Sequence, residues 1–286
     1  MPRQTMTNLL YGPGGTLRDG WRVMLFALGA GACSTVAGAM RLALPEALEP
    51  WLPAPWFPFL GLACLTWLFL QLEGRPLASV GLALDRRWGL EFLGGVLAGA
   101  GLMALMALSA FLGGGCRWEH SPHASMGQLA AGAWLYLGVA GGEELLFRGY
   151  PFQRLVRSLG RWPALALGAL LFTALHWGNP GMTGATRAWA CLNIALAGLL
   201  LGLCWLWTRS LALPVGLHLG WNWTQGTLLG FGVSGLPSQG WWSPVLRGGP
   251  AWITGGAFGL EAGLPCTVVT AAACLVLARL SVKVVD

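Results

Sequence analysis

Hydrophobic residues in this chain form long stretches, and the short segments between them carry most of the charge. A helix that spans a membrane needs about 20 consecutive, mainly apolar residues. The pattern therefore predicts an all-α fold, a polytopic membrane helix bundle of about eight transmembrane helices. The predicted helices occupy residues 21–40, 55–72, 92–112, 129–147, 163–177, 188–208, 211–230 and 264–280.

The same pattern predicts one transmembrane helical domain, residues 21–280, with no separate soluble domain. Residues 1–20 are expected to form a cytoplasmic N-terminal arm and residues 281–286 a cytoplasmic tail. Residues 231–263 are rich in Gly, Pro and Trp and are expected to form a long outer loop. The core that carries the polar motifs spans residues 129–230.

Composition agrees with this fold class, because 55% of the 286 residues are hydrophobic and only 10% are charged. Soluble domains carry about 25% charged residues, so this chain could not cover a surface in water with polar groups. The lipid bilayer is therefore its expected surrounding. The formal net charge of +6 comes from basic residues scattered between apolar runs, so no nucleic-acid partner is expected.

The basic residues divide unequally between the two sides that alternate along the predicted bundle. Thirteen lie on the side that carries both termini, namely Arg3, Arg18, Arg22, Arg75, Arg86, Arg87, Arg148, Arg154, Arg157, Arg161, Arg209, Arg279 and Lys283. Four lie on the other side: Arg41, Arg117, Arg187 and Arg247. Because basic residues are enriched in cytoplasmic loops, both termini are predicted to be cytoplasmic.

Two adjacent carboxylates, Glu143 and Glu144, end the fourth predicted helix. Ionisable groups at bilayer depth are costly, so they are candidates for function. Glu144 and Arg148 are four residues apart, about 40° around the helix axis, and are expected to pair. Glu143 lies about 140° from Arg148 and has no local cation. It is expected to face a wet cavity, where a carboxylate suits the role of general base.

Three further polar residues lie in apolar helices: His176 ends the fifth, and His218 and Asn222 share one face of the seventh. A lone histidine at a helix end is often structural, and a buried polar pair can also hydrogen-bond a neighbouring helix. Helix rise puts Glu143 and His218 about 8–10 Å from the cytoplasmic face and His176 about 20 Å from it. The three converge only if the fifth helix begins deeper, is tilted, or follows a dipping segment at 150–162.

Together these residues form three motifs in order along successive helices: Glu143-Glu144-x-x-x-Arg148, Phe172-x-x-x-His176 and His218-x-x-x-Asn222. This set resembles the CPBP family of CAAX prenyl endopeptidases and bacteriocin-processing proteins, and in particular its bacterial branch. The resemblance implies an intramembrane endopeptidase in the bacterial inner membrane. Its substrate would be a membrane-associated protein or peptide, cut near the cytoplasmic face.

The resemblance also assigns roles to single residues. Glu143 would activate water with the assistance of His176, and His218 and Asn222 would stabilise the tetrahedral oxyanion. Amide hydrolysis without a nucleophilic side chain needs such a base and such donors. Glu144 would brace the site together with Arg148.

Two alternatives stay open at this stage. The family has also been described as metal-dependent, and Glu143, His176 and His218 could hold a zinc ion with an open fourth position. With glutamate-activated water, no cofactor is expected. The chain could instead be a non-enzymatic membrane protein, either an immunity or scaffold protein or a small transporter that uses the same polar cavity.

Overall fold

A computed structural model describes residues 9–12 and 14–282 and confirms an all-α membrane helix bundle. Arg3, Lys283 and the ends of the predicted arm and tail lie outside the described residues. The main helices are α1 (Asp19–Ala43), α2 (Trp56–Leu72), α3 (Arg86–Leu112), α4 (Met126–Phe147), α5 (Tyr150–Leu159), α6 (Arg161–His176), α7 (Gly184–Thr208), α8 (Ala212–Asn222) and α9 (Leu264–Val282).

Every predicted segment is helical, but several helices begin earlier than the apolar pattern indicates. The side chain of Asp85 accepts a hydrogen bond from the Trp88 backbone N–H at 2.8 Å, so α3 begins at Arg86 instead of residue 92. Ser125 caps α4 in the same way. Caps and charged first turns fall outside an apolar window, which explains the difference.

Helix α5 occupies a segment that the sequence predicts only as a polar connector. Its residues Tyr150, Phe152 and Arg154 are buried. The helix is strongly amphipathic, and short amphipathic helices lack the length and apolarity that identify a span. It leads directly into α6, which begins at Arg161.

By length and composition, four of the described helices could cross a membrane: α1, α3, α7 and α9. Helix α2 is apolar but shorter. Helix α6 has 16 residues and α8 has 11, which is less than the roughly 20 residues that a membrane core requires. The chain is thus an integral membrane protein, while the count of eight spans remains a prediction.

The loops predicted to lie on the side of the termini meet at one face of the bundle, here called the arginine-rich face. Glu73 lies at its centre, 2.7 Å from Arg22 and also paired with Arg154. Arg154 pairs in turn with Asp19. These ion pairs join α1, the end of α2 and α5, so the alternation of sides expected from the charges is present in the structure.

The opposite face, here called the arginine-poor face, gathers the loops predicted to be outer. Strand β1 (Cys116–His120) pairs antiparallel with strand β2 (Trp242–Leu246). Gln128 at the start of α4 donates to the Gln239 carbonyl at 2.6 Å. The loop 231–263 therefore folds onto the helix ends through a strand and hydrogen bonds.

Helices α3 and α8 approach so closely that only glycine fits at four positions. A Cβ on Gly95 or Gly99 would lie 2.5 Å or 2.1 Å from a backbone oxygen of α8. A Cβ on Gly216 or Gly220 would lie 2.1 Å from a backbone oxygen of α3. Small residues four positions apart permit this approach in lipid.

Gly95→Ala should destabilise the bundle by about 1–3 kcal/mol, because the new methyl group meets the backbone of α8. Gly94→Ala is the matched control, since a Cβ there has nothing within 4 Å and alanine favours helix. Thermal unfolding in mild detergent measures both. Equal unfolding midpoints for the two variants would show that the close approach is wrong.

Candidate active site

The four predicted catalytic residues Glu143, His176, His218 and Asn222 line one cavity of about 730 Å³. Small-molecule and substrate sites are usually concave and of this size, roughly 300–1,000 Å³. The remaining lining is mainly apolar, with a few polar side chains between. The structure thus brings together residues from α4, α6 and α8 that lie far apart in the sequence.

The two adjacent carboxylates of α4 have different surroundings. The Glu143 side chain is 31% exposed and lines the cavity, whereas that of Glu144 is 0% exposed. Consecutive residues of a helix point about 100° apart, so these two side chains cannot face the same surroundings. The Oε2 atom of Glu143 is buried and has no hydrogen-bond partner among the described residues, so its lone pairs are not bound to another protein group.

Glu144 forms the ion pair that its spacing predicts and a second contact that the spacing does not reveal. Its Oε1 lies 3.1 Å from Arg148 Nη1 and 2.9 Å from His218 Nδ1. Arg148 also donates to the Gly198 carbonyl of α7 at 2.9 Å. The buried guanidinium lies over the Phe172 ring, 4.9 Å from its centre. One carboxylate oxygen therefore connects the end of α4 to α8, and Arg148 extends the connection to α7.

The ring of His218 lies between the two carboxylates. A carboxylate accepts hydrogen bonds, so Nδ1 carries the proton that it shares with Glu144. Nε2 consequently points towards the cavity and lies 3.8 Å from Glu143 Oε2. This distance is too long for a direct hydrogen bond, and it leaves the Nε2 position oriented beside the unpartnered carboxylate oxygen.

His176 reaches the same cavity although helix arithmetic places it deeper. Its Nδ1 donates to the Phe172 carbonyl at 2.8 Å, so Nε2 is the ring nitrogen that this hydrogen bond does not use. The Phe172 ring lies 4.6 Å from the His176 ring and 6.4 Å from the His218 ring, measured between centroids. Helix α5 occupies most of the segment 150–162, where a dipping segment was one of three conditions under which the residues could converge.

Asn222 is buried, follows His218 by one helical turn and lines the cavity as predicted. The residue before it, Trp221, donates its indole N–H to Glu261 at 3.1 Å. After Asn222 the helix continues as a π-helical turn, Trp223–Leu228. Such turns are frequent at functional sites.

Glu261 is the lining residue that sequence reasoning missed. Its carboxylate accepts from Trp221 and from the backbone N–H and hydroxyl of Ser234. Its backbone carbonyl accepts from Asn193, which thereby joins α7 to the outer loop. One signal was available, because Glu261 is the only acidic residue in the segment 231–263.

The proposed zinc ligands do not form a metal-binding group in this arrangement. Among residues 9–12 and 14–282, no three His, Cys, Asp or Glu side chains are placed so that they could hold a metal ion. His176 and His218 each commit Nδ1 to a protein oxygen. Only their Nε2 atoms could serve as ligands.

Comparison with known proteins gives a match to one family. Residues 125–224 match the model of the Rce1-like family, type II CAAX prenyl endopeptidases. The matched segment contains all three motifs and confirms the resemblance inferred from them, without distinguishing a bacterial branch. No curated protein and no solved structure matches the chain.

Glu144→Gln and Arg148→Ala should each lower the stability of the protein by about 3–5 kcal/mol, because each leaves a buried group without its charged partner. Glu143→Gln should leave the unfolding midpoint close to that of the wild type, since its side chain faces the cavity. Thermal unfolding in detergent compares the three. A loss for Glu143→Gln as large as that for Glu144→Gln would contradict the assigned surroundings.

Proposed function

Residues 125–224 match the CAAX prenyl endopeptidase family model, and from that match we propose that the chain is an intramembrane endopeptidase. Its substrate would be a membrane-associated protein or peptide, and a glutamate-activated water would cleave the peptide bond. The observation that carries the proposal is the placement of Glu143 and the oriented His218 ring against one cavity.

In the first step, Glu143 would accept a proton from a water molecule bound beside it. The oxygen of that water forms a bond with the carbonyl carbon of the scissile peptide, and the carbonyl oxygen becomes an oxyanion. The partly exposed Glu143 side chain supports this role, because it lines the cavity and a general base needs a carboxylate within reach of the water.

The oxyanion would be stabilised by His218 and Asn222. The Glu144 contact at Nδ1 turns the Nε2 atom of His218 to the cavity, and the amide of Asn222 lines it one turn further on. Donation from Nε2 requires the protonated ring, and the carboxylates on both sides compensate that charge. Preorganised donors of this kind are worth roughly a factor of 10²–10³ each in kcat.

His176 would assist at the leaving group. When the carbon–nitrogen bond breaks, the leaving amine needs a proton, which comes from the carboxyl group of Glu143 directly or through His176. Because Nδ1 of His176 is bound to the Phe172 carbonyl, Nε2 is the atom that could exchange this proton. Every step then uses only side chains and water.

The chemistry of the donors supports a reaction that requires no metal. An amide side chain such as Asn222 is a poor zinc ligand but a good hydrogen-bond donor.

The competing function, an immunity or scaffold protein or a small transporter, would use the cavity without cleaving a bond. A non-enzymatic function does not explain why a carboxylate suited to act as a general base lies beside an oriented histidine.

Mass spectrometry of membrane peptides from cells with the wild type and with Glu143→Gln tests the function. Peptide termini made by the protease should disappear with Glu143→Gln, because the amide cannot accept the proton from water. Glu119→Gln is a control with the same chemical change in an exposed carboxylate outside the cavity and should retain the termini. Identical peptide sets from the wild type and Glu143→Gln would favour the non-enzymatic function.

The purified wild-type protein should also cleave these peptides when elemental analysis finds no metal. If activity instead disappears on chelation and returns only with zinc, the metal-dependent alternative holds.

A further inference from the structure

The carboxylate of Glu261 joins two elements of the cavity wall. Its Oε1 accepts from the indole N–H of Trp221 at 3.1 Å, and its Oε2 accepts from the backbone N–H and the hydroxyl of Ser234. A carboxylate only accepts hydrogen bonds, so three donors can converge on it without a competing donor. Glu261 therefore ties α8, which carries Trp221, to the segment around Ser234.

Ser234 lies in a tight turn. The backbone groups of Val233 and Leu236 exchange two hydrogen bonds of 2.9 Å, which leaves Ser234 and Gly235 as the two turn residues. Both have a positive φ, 48° and 83°, as in the type I′ turns that join hairpins. Glycine adopts this conformation readily, whereas serine adopts it at a cost. The two hydrogen bonds to Glu261 hold Ser234 in this conformation.

The same turn is bound to the residues that follow α6. The side-chain amide of Asn179 donates to the Ser234 carbonyl at 2.8 Å. The backbone N–H of Asn179 donates to the carbonyl of His176 at 3.0 Å. A chain of hydrogen bonds thus leads from Glu261 through Ser234 and Asn179 to His176, the last residue of α6.

Close backbone contacts make the turn and the loop after α6 move together. A Cβ on Gly235 would lie 2.0 Å from the carbonyl oxygen of Pro180, so the two backbones touch. The backbone N–H of Gly235 also donates to the Phe258 carbonyl at 2.9 Å. A shift of the turn is therefore transmitted to the end of α6.

The ring of His176 depends on the end of its helix for its position. Its Nδ1 is bound to the Phe172 carbonyl one turn earlier, so this hydrogen bond orients the ring within α6 but does not join α6 to another element. The other proposed catalytic residues, Glu143, His218 and Asn222, belong to α4 and α8. A displacement of about 1 Å in such a site can cost on the order of 10²-fold in rate.

We infer that Glu261 is a positioning residue, which fixes His176 at the end of α6 relative to His218 and Asn222 on α8. It acts through Ser234 and Asn179 on one side and through Trp221 on the other. The inference rests on the proposed function, in which His176 exchanges the proton of the leaving amine. Glu144 joins α4 to α8, and Glu261 adds α6 to the same arrangement.

The leaving group distinguishes this role from general support of the fold. The probes are a synthetic peptide with the sequence of a cleavage site found in wild-type membranes and the same peptide with an ester at the scissile bond. An amine leaves only after it is protonated, whereas an alkoxide leaves more readily. Glu261→Ala and Asn179→Ala should each lower kcat by about 10-fold or more for the peptide and by less than about threefold for the ester, with KM little changed.

Glu119→Ala is the matched control, because its carboxylate is exposed and lies outside the cavity, and it should cleave both probes like the wild type. In a His176→Ala background, Glu261→Ala should lower kcat for the peptide by no more than about twofold further. Equal losses for the peptide and the ester, or no loss in Asn179→Ala, would overturn the inference.

NMR of the histidine rings in detergent tests the positioning without any substrate. The chain has four histidines, and His176→Ala identifies the ring signals of residue 176. Glu261→Ala and Asn179→Ala should both shift these signals, and Glu119→Ala should not. Signals that stay at their wild-type positions in Glu261→Ala would overturn the inference. If the wild type cleaves neither probe, the proposed function fails, and the ring signals still decide whether Glu261 positions His176.

Discussion

The arrangement of the site depends on one buried carboxylate oxygen, Oε1 of Glu144, which Arg148 and His218 share. A buried charge is costly unless it is paired and hydrogen-bonded, so the contacts among these three side chains stabilise the bundle. Since Arg148 also binds the Gly198 carbonyl, helices α4, α7 and α8 converge at this point. With Glu144 held there, its neighbour Glu143 turns into the cavity.

Helix α8 must satisfy two packing demands at the same time. Its glycines Gly216 and Gly220 contact α3 backbone to backbone. His218 lies midway between them in sequence and about 200° around the helix from each, so it points away from α3 towards α4. Asn222 is one turn further and shares the face of His218. Close packing on one side thereby positions the polar residues on the other.

Much of this arrangement was predictable because it is local in sequence. Periodicity gives the helices, and the four-residue spacing gives the Glu144–Arg148 pair. Contacts between distant segments could not be predicted in this way. Nothing in the motif around Glu144 indicates that His218, 74 residues later, binds the same oxygen.

The amphipathic helix α5 also escaped prediction, for a related reason. A polar connector in the sequence can be a solvated loop or a buried helix whose charges are paired, and only its partners decide. Here Arg154 forms ion pairs with Glu73 and Asp19, and the segment forms a buried helix.

The central claim is that Glu144 acts on the reaction by orienting His218. A double-mutant cycle on kcat with Glu144→Asp and His218→Gln tests it most directly, since aspartate retains a charge beside Arg148 but withdraws the carboxylate from Nδ1. If the claim holds, both single variants are slow and the double variant is no more than about threefold slower than the worse single one. If the two losses multiply in the double variant, Glu144 and His218 act independently and the claim is wrong.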